Sequence, residues 1–270
     1  MATDLREALL LGEVLKDEYI VDAHAHMDTW YNFHIPEQGT PASMVHAMDL
    51  IGIDVAIVAP HICIGPDYCQ GNRDAHEAAK QFPGRIVPFV TINPNYGPDA
   101  VREEIEYWDK QGPIVGFKFH PYCHQADACH ENYYPVFEYC EQHALPILSH
   151  NWTGAPVKGK DTLHGLAESF PRVTFIIGHA ASGWSAIDLN CDIARRYPNV
   201  MLDTTGSGLT FDAIPEMVRR VGAERIIWGT DNPFIDPRPG LGRLLLARIG
   251  DDEKRLILGL NARRIFNLTG

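Results

Sequence analysis

Three ionisable side chains alternate in YIVDAHAH near the start of the chain: Asp22, His24 and His26. A β-strand alternates its faces with a period of two, so all three are expected on one face. Left unpaired on a buried face they would cost a great deal, and a metal ion is the natural group to satisfy them. The remaining partners lie further along. LPILSH ends in His150, VTFIIGH in His179 and RIIWGTD in Asp231, each an ionisable residue closing an apolar run, and IVGFKFH adds Lys118 and His120. Singly, each has a bland reading: a lone histidine after a strand is more often structural, and an aspartate there is often a helix N-cap. Jointly, His-x-His on the first run with His, His and Asp on later runs describe a divalent metal site. Neutral imidazoles with one carboxylate suit zinc first, with manganese or iron as alternatives. A bound divalent ion lowers the pKa of water from about 15.7 to roughly 7. His179 can shuttle protons, because an unperturbed imidazole titrates at about 6.5.

Such residues must be positioned by regular elements. Eight β-rich runs can be read: YIVDAH, DVAIVAP, RIVPFVTI, IVGFKFH, LPILSH, VTFIIGH, NVMLDTT and RIIWGTD. Continuous apolar runs suit strands buried on both faces of a parallel sheet. Helical faces alternate with them: Val101, Ile105 and Trp108; Leu163, Leu166, Ala167 and Phe170; Ile214, Met217, Val218 and Val221. Gly222 and Gly250 stand where helix ends favour a left-handed residue. Eight strand–helix units in one domain spanning 1–270 predict an α/β fold, a (β/α)8 TIM barrel with its site at the C-terminal mouth. An open doubly wound sheet is second, and no Gly-rich phosphate loop supports it. Long segments at 27–40, 60–71 and 120–131 follow strands, where a barrel builds its recognition loops.

With 270 residues and a formal charge of −12, the chain has neither the basic character of a nucleic-acid binder nor affinity for an anionic membrane surface. A small-molecule substrate is expected. It can be a carboxylate if Lys118, Arg73 or Arg238 pairs with it. His120, Tyr122, Trp152 and Trp30 are further candidates to line the pocket. Asp203 reads as a brace at the end of its strand. The N-terminal segment lacks a signal-peptide pattern, and the six cysteines include no C-x-x-C, which points to reduced thiols in a cytoplasmic protein. The loops carrying Cys63 and Cys69, and Cys123 and Cys129, match no zinc spacing, so loop thiols are preferred to a second, structural metal. Leu5, Leu9, Leu10 and Val14 recur at helical spacing and predict a helix that caps the domain or meets a partner subunit.

Taken together, VDAHAH, GFKFHP, the SH and GHA strand ends, GTDNP and the closing NARRIF resemble the amidohydrolase superfamily, in the amidohydrolase-2 branch that includes aminocarboxymuconate-semialdehyde decarboxylase. The resemblance implies a distorted TIM barrel in which His24, His26, His150 and Asp231 bind one metal ion. His179 is then the acid/base group, Asp231 also takes the proton from metal-bound water, and Asp22 supports the histidines from behind. In some members a lysine at the position of Lys118 is carbamylated and bridges two metals. One metal is preferred here, with Lys118 free to meet a substrate carboxylate. The implied activity is hydrolysis of a small-molecule C–O or C–N bond. Decarboxylation of an unsaturated or aromatic carboxylic acid comes second, and a non-catalytic binding barrel third. Family habit also suggests a homodimer.

Overall fold

A computed structural model of the chain describes residues 4–31, 34–150, 160–206 and 212–269. Its strands are β1 (Val21–Ala25), β2 (Val55–Val58), β3 (Ile86–Pro88), β4 (Val90–Thr91), β5 (Phe117–Phe119), β6 (Pro146–Ser149), β7 (Thr174–Ile177), β8 (Val200–Asp203) and β9 (Ile226–Ile227). Neighbours pair in sequence order and every ladder is parallel. The predicted single run RIVPFVTI appears as β3 and β4. Phe89 N–H donates to Val58 O at 2.9 Å on one side, and Val90 N–H to Gly116 O at 3.1 Å on the other. Pro88 has no N–H to offer β5, so pairing on that side begins only at Val90. β3 and β4 are thus one strand of the barrel wall.

Backbone bonds close the ring: Ala23 N–H to Trp228 O at 3.1 Å, and Asp231 N–H to His24 O at 2.9 Å. The result is the expected (β/α)8 barrel. Val21, Ala23, Val55, Ile57, Phe89, Leu148, Ile176, Met201 and Ile227 fill its interior, and Phe266 and Ala262 of the closing helix plug the bottom. Their alternates, among them Val58, Phe117, Phe119, Phe175 and Leu202, face outward beneath the helices.

The helical faces read from the sequence are the buried ones. Val101, Ile105 and Trp108 are buried on the helix Pro98–Gln111, and Ile214 and Met217 on Ala213–Val221. Gly222 ends the latter helix with φ 83°. Gly250 departs from expectation: its φ is −67°, and it starts the next helix, its N–H bonded to Glu253 Oε2 at 2.7 Å, instead of ending one in the left-handed region. Near the N-terminus the helix Leu5–Leu11 buries Leu5 and Ala8, ends at Gly12 before Val14, and leaves Leu10 and Leu11 exposed. Among the described residues, no helix is long and apolar enough to cross a membrane.

Candidate metal centre

β1 does not keep a simple alternation. Val21 pairs with Val55 and Asp22 with Ala56, but Ala25 pairs with Val58, so β1 carries one extra residue, a bulge. Val21 and Ala23 belong to the interior cluster and Ala25 to the outer layer, which places the slip at Ala23–His24. His24 and His26 share a face and Asp22 does not share it with them. Asp22 instead accepts from the backbone N–H of His24 at 3.2 Å and of Thr230 at 3.0 Å, and from the Thr230 hydroxyl. Burial drives its carboxyl up to about 7 against those hydrogen bonds. It ties β1 to the chain after β9.

The tautomers of the two histidines are fixed by their neighbours. His26 Nδ1 lies 2.7 Å from Ala59 O, an atom that only accepts, so Nδ1 carries the proton. His24 Nδ1 lies 2.7 Å from Asp203 Oδ2 and donates to it. Burial holds both imidazoles below their ordinary value, so neither is doubly protonated. Both Nε2 atoms are left with lone pairs, and both face Asp231 Oδ1, at 3.5 Å from His24 and 3.4 Å from His26. Asp231 Oδ1 is a buried oxygen with no hydrogen-bond partner among the described residues. Burial alone would raise the Asp231 carboxyl, but His179, His26 and Lys118 outweigh it and keep it below the usual range, hence ionised. Three buried acceptors converge, with no proton between either imidazole and the carboxylate and only the Lys118 ammonium donating, to His24 Nε2. A divalent cation is the group that reconciles them, and the donor set fits one.

Two backbone features bring these atoms together. Asp231 and His179 both sit at positive φ, 61° and 53°, a conformation that is uncommon for side-chain-bearing residues and concentrates at functional sites. Each follows a glycine closely or directly. A Cβ on Gly178 would lie 2.5 Å from Ser149 O, and one on Gly229 only 2.6 Å from His24 Cβ. Only glycine lets β7 and β9 pass this close to the ligand-bearing strands.

On the other side of His24, His150 and His179 form a second group, with ligand atoms of all three within 4.8 Å of one another. His179 Nε2 is 3.0 Å from His150 Nδ1, and His179 Nδ1 is 3.7 Å from Asp231 Oδ2. His120 stacks on His150 with centroids 4.0 Å apart, and its Nδ1 caps the next short helix by accepting from Cys123 N–H. Lys118 is fully buried and its Nζ meets His24 Nε2. Burial lowers it to about 8 against the pull of Asp231 and Asp203.

The structure thus gathers His24, His26, His150, His179, Asp231, Lys118 and His120 at one mouth. Arg73 is elsewhere: it is exposed on the helix Tyr68–Gln81 and lines an outer cavity with His76, Tyr107 and Trp108. Arg238 is tied to Asp236 at 2.6 Å. Tyr122 follows His120 on the mouth's rim and is 63% exposed. Trp152 lies outside the described residues. Two residues carry more than the sequence assigned them. Asp203, read as a brace, is the carboxylate that orients His24, and it also accepts from Thr205 N–H at 3.0 Å and from the Thr205 hydroxyl at 2.6 Å. A ligating histidine commonly gives its second N–H to such a group. His61, given no role from the sequence, opens the short helix His61–Ile64 beside Cys63 and stacks on His26 at 4.9 Å. Burial pushes its imidazole down to about 3. Among the described residues the cysteines form no disulfide, and the metal-capable groups include none of them.

A family model described as amidohydrolase matches residues 21–268. The γ-resorcylate decarboxylase of Rhizobium sp. (strain MTP-10005) is 24% identical over 245 residues, 73% of this chain and 74% of that protein. An uncharacterised TIM-barrel protein from Bordetella bronchiseptica has a similar structure, with TM-score 0.75, 17% identity, and coverage of 93% of this chain and 99% of that one. So does 5-carboxyvanillate decarboxylase from Novosphingobium aromaticivorans, solved with manganese and 4-hydroxy-3-methoxy-5-nitrobenzoic acid. Its TM-score is 0.68 at 16% identity, covering 94% of this chain and 97% of that one. The two structural likenesses speak for the barrel.

Proposed function

This chain belongs to the amidohydrolase family, and on that premise we propose that it is a metal-dependent decarboxylase of an aromatic carboxylic acid. The observation that carries the metal dependence is the meeting of His24 Nε2, His26 Nε2 and Asp231 Oδ1, three buried acceptors with no proton between either imidazole and the carboxylate; the donor that does reach them is the Lys118 ammonium at His24. Hydrolysis, the first expectation from the sequence, would use the same groups. The curated relative that decarboxylates γ-resorcylate favours the other chemistry.

In this reading His24, His26 and Asp231 hold one divalent ion, with His150 beside them. Zinc and manganese both suit nitrogen and carboxylate donors. When bound, the ion supplies positive charge that draws a substrate oxygen into place and stabilises negative charge there. The chain supplies the rest. Asp203 and Ala59 O fix the ligand rings. Lys118, buried beside His24, adds a cation that favours an anionic substrate. Asp231 Oδ2 and His179 Nδ1, 3.7 Å apart, hold the proton that replaces the carboxylate. That proton adds to the ring carbon, the bond to the carboxylate breaks, its electron pair returns to the ring, and CO2 leaves.

Metal-reconstituted protein is incubated with 2,6-dihydroxybenzoate, 5-carboxyvanillate and related arene carboxylates while CO2 is measured, alongside ester and lactone probes. CO2 release that is abolished in Asp231→Asn supports the proposal. Turnover of esters or lactones without CO2 release from any arene carboxylate overturns it in favour of hydrolysis. Metal analysis runs in parallel: about one ion per chain is expected, and two would bring Lys118 in as a bridging carbamate.

A further inference from the structure

Beside the metal-ligating trio lies a cavity of about 350 Å³ whose walls include Asp28, Trp30, Tyr31, His61 and Asp74. His61 stands between the two. One face of its ring stacks on His26 at 4.9 Å, and Trp30 and Phe234 flank it at 5.5 and 5.6 Å. Its Nδ1 is 2.9 Å from Asp28 O, a carbonyl that can only accept, so the proton is on Nδ1 and Nε2 carries a lone pair. The residue is 1% exposed, and that Nε2 finds no hydrogen-bond partner among the described residues. A buried acceptor without a donor is costly, and native proteins rarely leave one without a reason. The carboxylates and imidazole lining this cavity, Asp28, Asp74 and His61, offer acceptors, Tyr31 adds a phenol that can donate or accept, and no Lys or Arg is among the described lining residues. A carboxylate is therefore not what the cavity is built to receive. Its aromatic walls suit a planar ring, and its acceptors suit a group that donates.

We propose that His61 is a specificity-determining residue, whose Nε2 accepts a hydrogen bond from a hydroxyl or amino substituent on the substrate ring held in this cavity. The inference rests on the decarboxylase reading for the presence of an aromatic substrate, and it adds which ring substituents are selected. A carboxylate end drawn toward Lys118 and the ion and a donor-bearing ring edge drawn toward His61 would orient the substrate across the mouth.

The test is calorimetric binding of benzoate and each of its mono-hydroxy and mono-amino derivatives to metal-loaded protein. The wild type is expected to bind at least one donor-bearing derivative about 10-fold more tightly than benzoate. The hydroxy and amino series distinguish which donor is preferred. His61→Phe keeps a ring against His26 and removes the lone pair, so it should erase that preference while retaining the metal and the affinity for benzoate. His61→Gln, which restores an acceptor oxygen, should recover part of it. The proposal is overturned if no derivative outbinds benzoate in the wild type, or if the preference survives in His61→Phe. If His61→Phe fails to fold, His61→Gln carries the attribution: a donor preference unchanged from the wild type in that variant overturns the proposal. CO2 release without any donor preference would remove this proposal and leave the decarboxylase reading standing. Donor preference without CO2 release from any arene carboxylate would do the reverse.

Discussion

Asp203→Asn isolates how far the metal centre depends on a residue that does not itself face the ion. Oδ2 of Asp203 accepts from His24 Nδ1 at 2.7 Å and from His179 N–H at 3.3 Å. Oδ1 accepts from Thr205 N–H at 3.0 Å and from its hydroxyl at 2.6 Å. Both oxygens are thus turned toward donors. Asparagine has the same shape but only one acceptor end. Whichever way its amide turns, the NH2 meets a donor, either on the His24 side or on the Thr205 side. With the carbonyl toward Thr205, His24 loses its anchor and its tautomer is no longer fixed. With the carbonyl toward His24, the bond survives but loses its charge, and charge-assisted bonds are about twice as strong as neutral ones. Loss of such a partner typically costs 10- to 100-fold in metal affinity, about 1.4–2.8 kcal/mol. Competition against a chromophoric chelator measures that affinity directly, and thermal melting of the metal-free variant separates it from general destabilisation. If Asp203→Asn binds zinc and manganese within about twofold of the wild type, the idea that Asp203 sets the His24 donor atom is wrong.

Other outcomes follow from the same geometry. Gly229→Ala should destabilise the protein by about 1–3 kcal/mol in urea titrations and weaken metal binding, since the new Cβ would sit 2.6 Å from His24 Cβ. His179→Asn should keep its metal by elemental analysis but lose at least 100-fold in CO2 release, as expected for a group that moves a proton. Metal supplied at 100 times its dissociation constant should stabilise the fold by about 2.7 kcal/mol, seen as a melting shift of roughly 5–10 °C that the His24→Ala/His26→Ala double variant no longer shows. Phe137→Ala removes a fully buried ring packed on Phe119 and Phe175 and should cost about 3–5 kcal/mol with metal affinity unchanged.

The barrel and the mouth were legible in the sequence because each chemical residue stands directly after an apolar run. His24, His26, His150, His179 and Asp231 could be placed together from strand ends alone, since every parallel strand of a barrel delivers its C-terminal end to one rim. What escaped depends on register and on contacts between distant strands. The bulge that turns Asp22 away from the histidines adds one residue to β1, and nothing in the local pattern VDAHAH marks it. Asp203 meets a ring on the opposite side of the barrel seam, from a strand end that resembles an ordinary brace. His61 lies in a loop whose cysteines drew attention to thiols, and its role depends on stacking against His26. Arg73 shows the converse error. It was offered as a partner for a substrate carboxylate, but its place on the helix Tyr68–Gln81 points it to the barrel's outer wall.

The seam between β1 and β9 also bears on how the chain is made. His24 and His26 are among the first barrel residues to leave the ribosome, and Asp231 is among the last. Until β9 arrives, β1 is an unpaired edge carrying two bare imidazoles, the kind of edge that invites wrong pairings. Asp231 N–H to His24 O and His26 N–H to Asn232 O are bonds that only the finished chain can make. Completing the sheet and bringing Asp231 to His24 and His26 are therefore one event at the end of synthesis, and a chain truncated before β9 would lack both the closing bonds and the carboxylate of the proposed ligand trio.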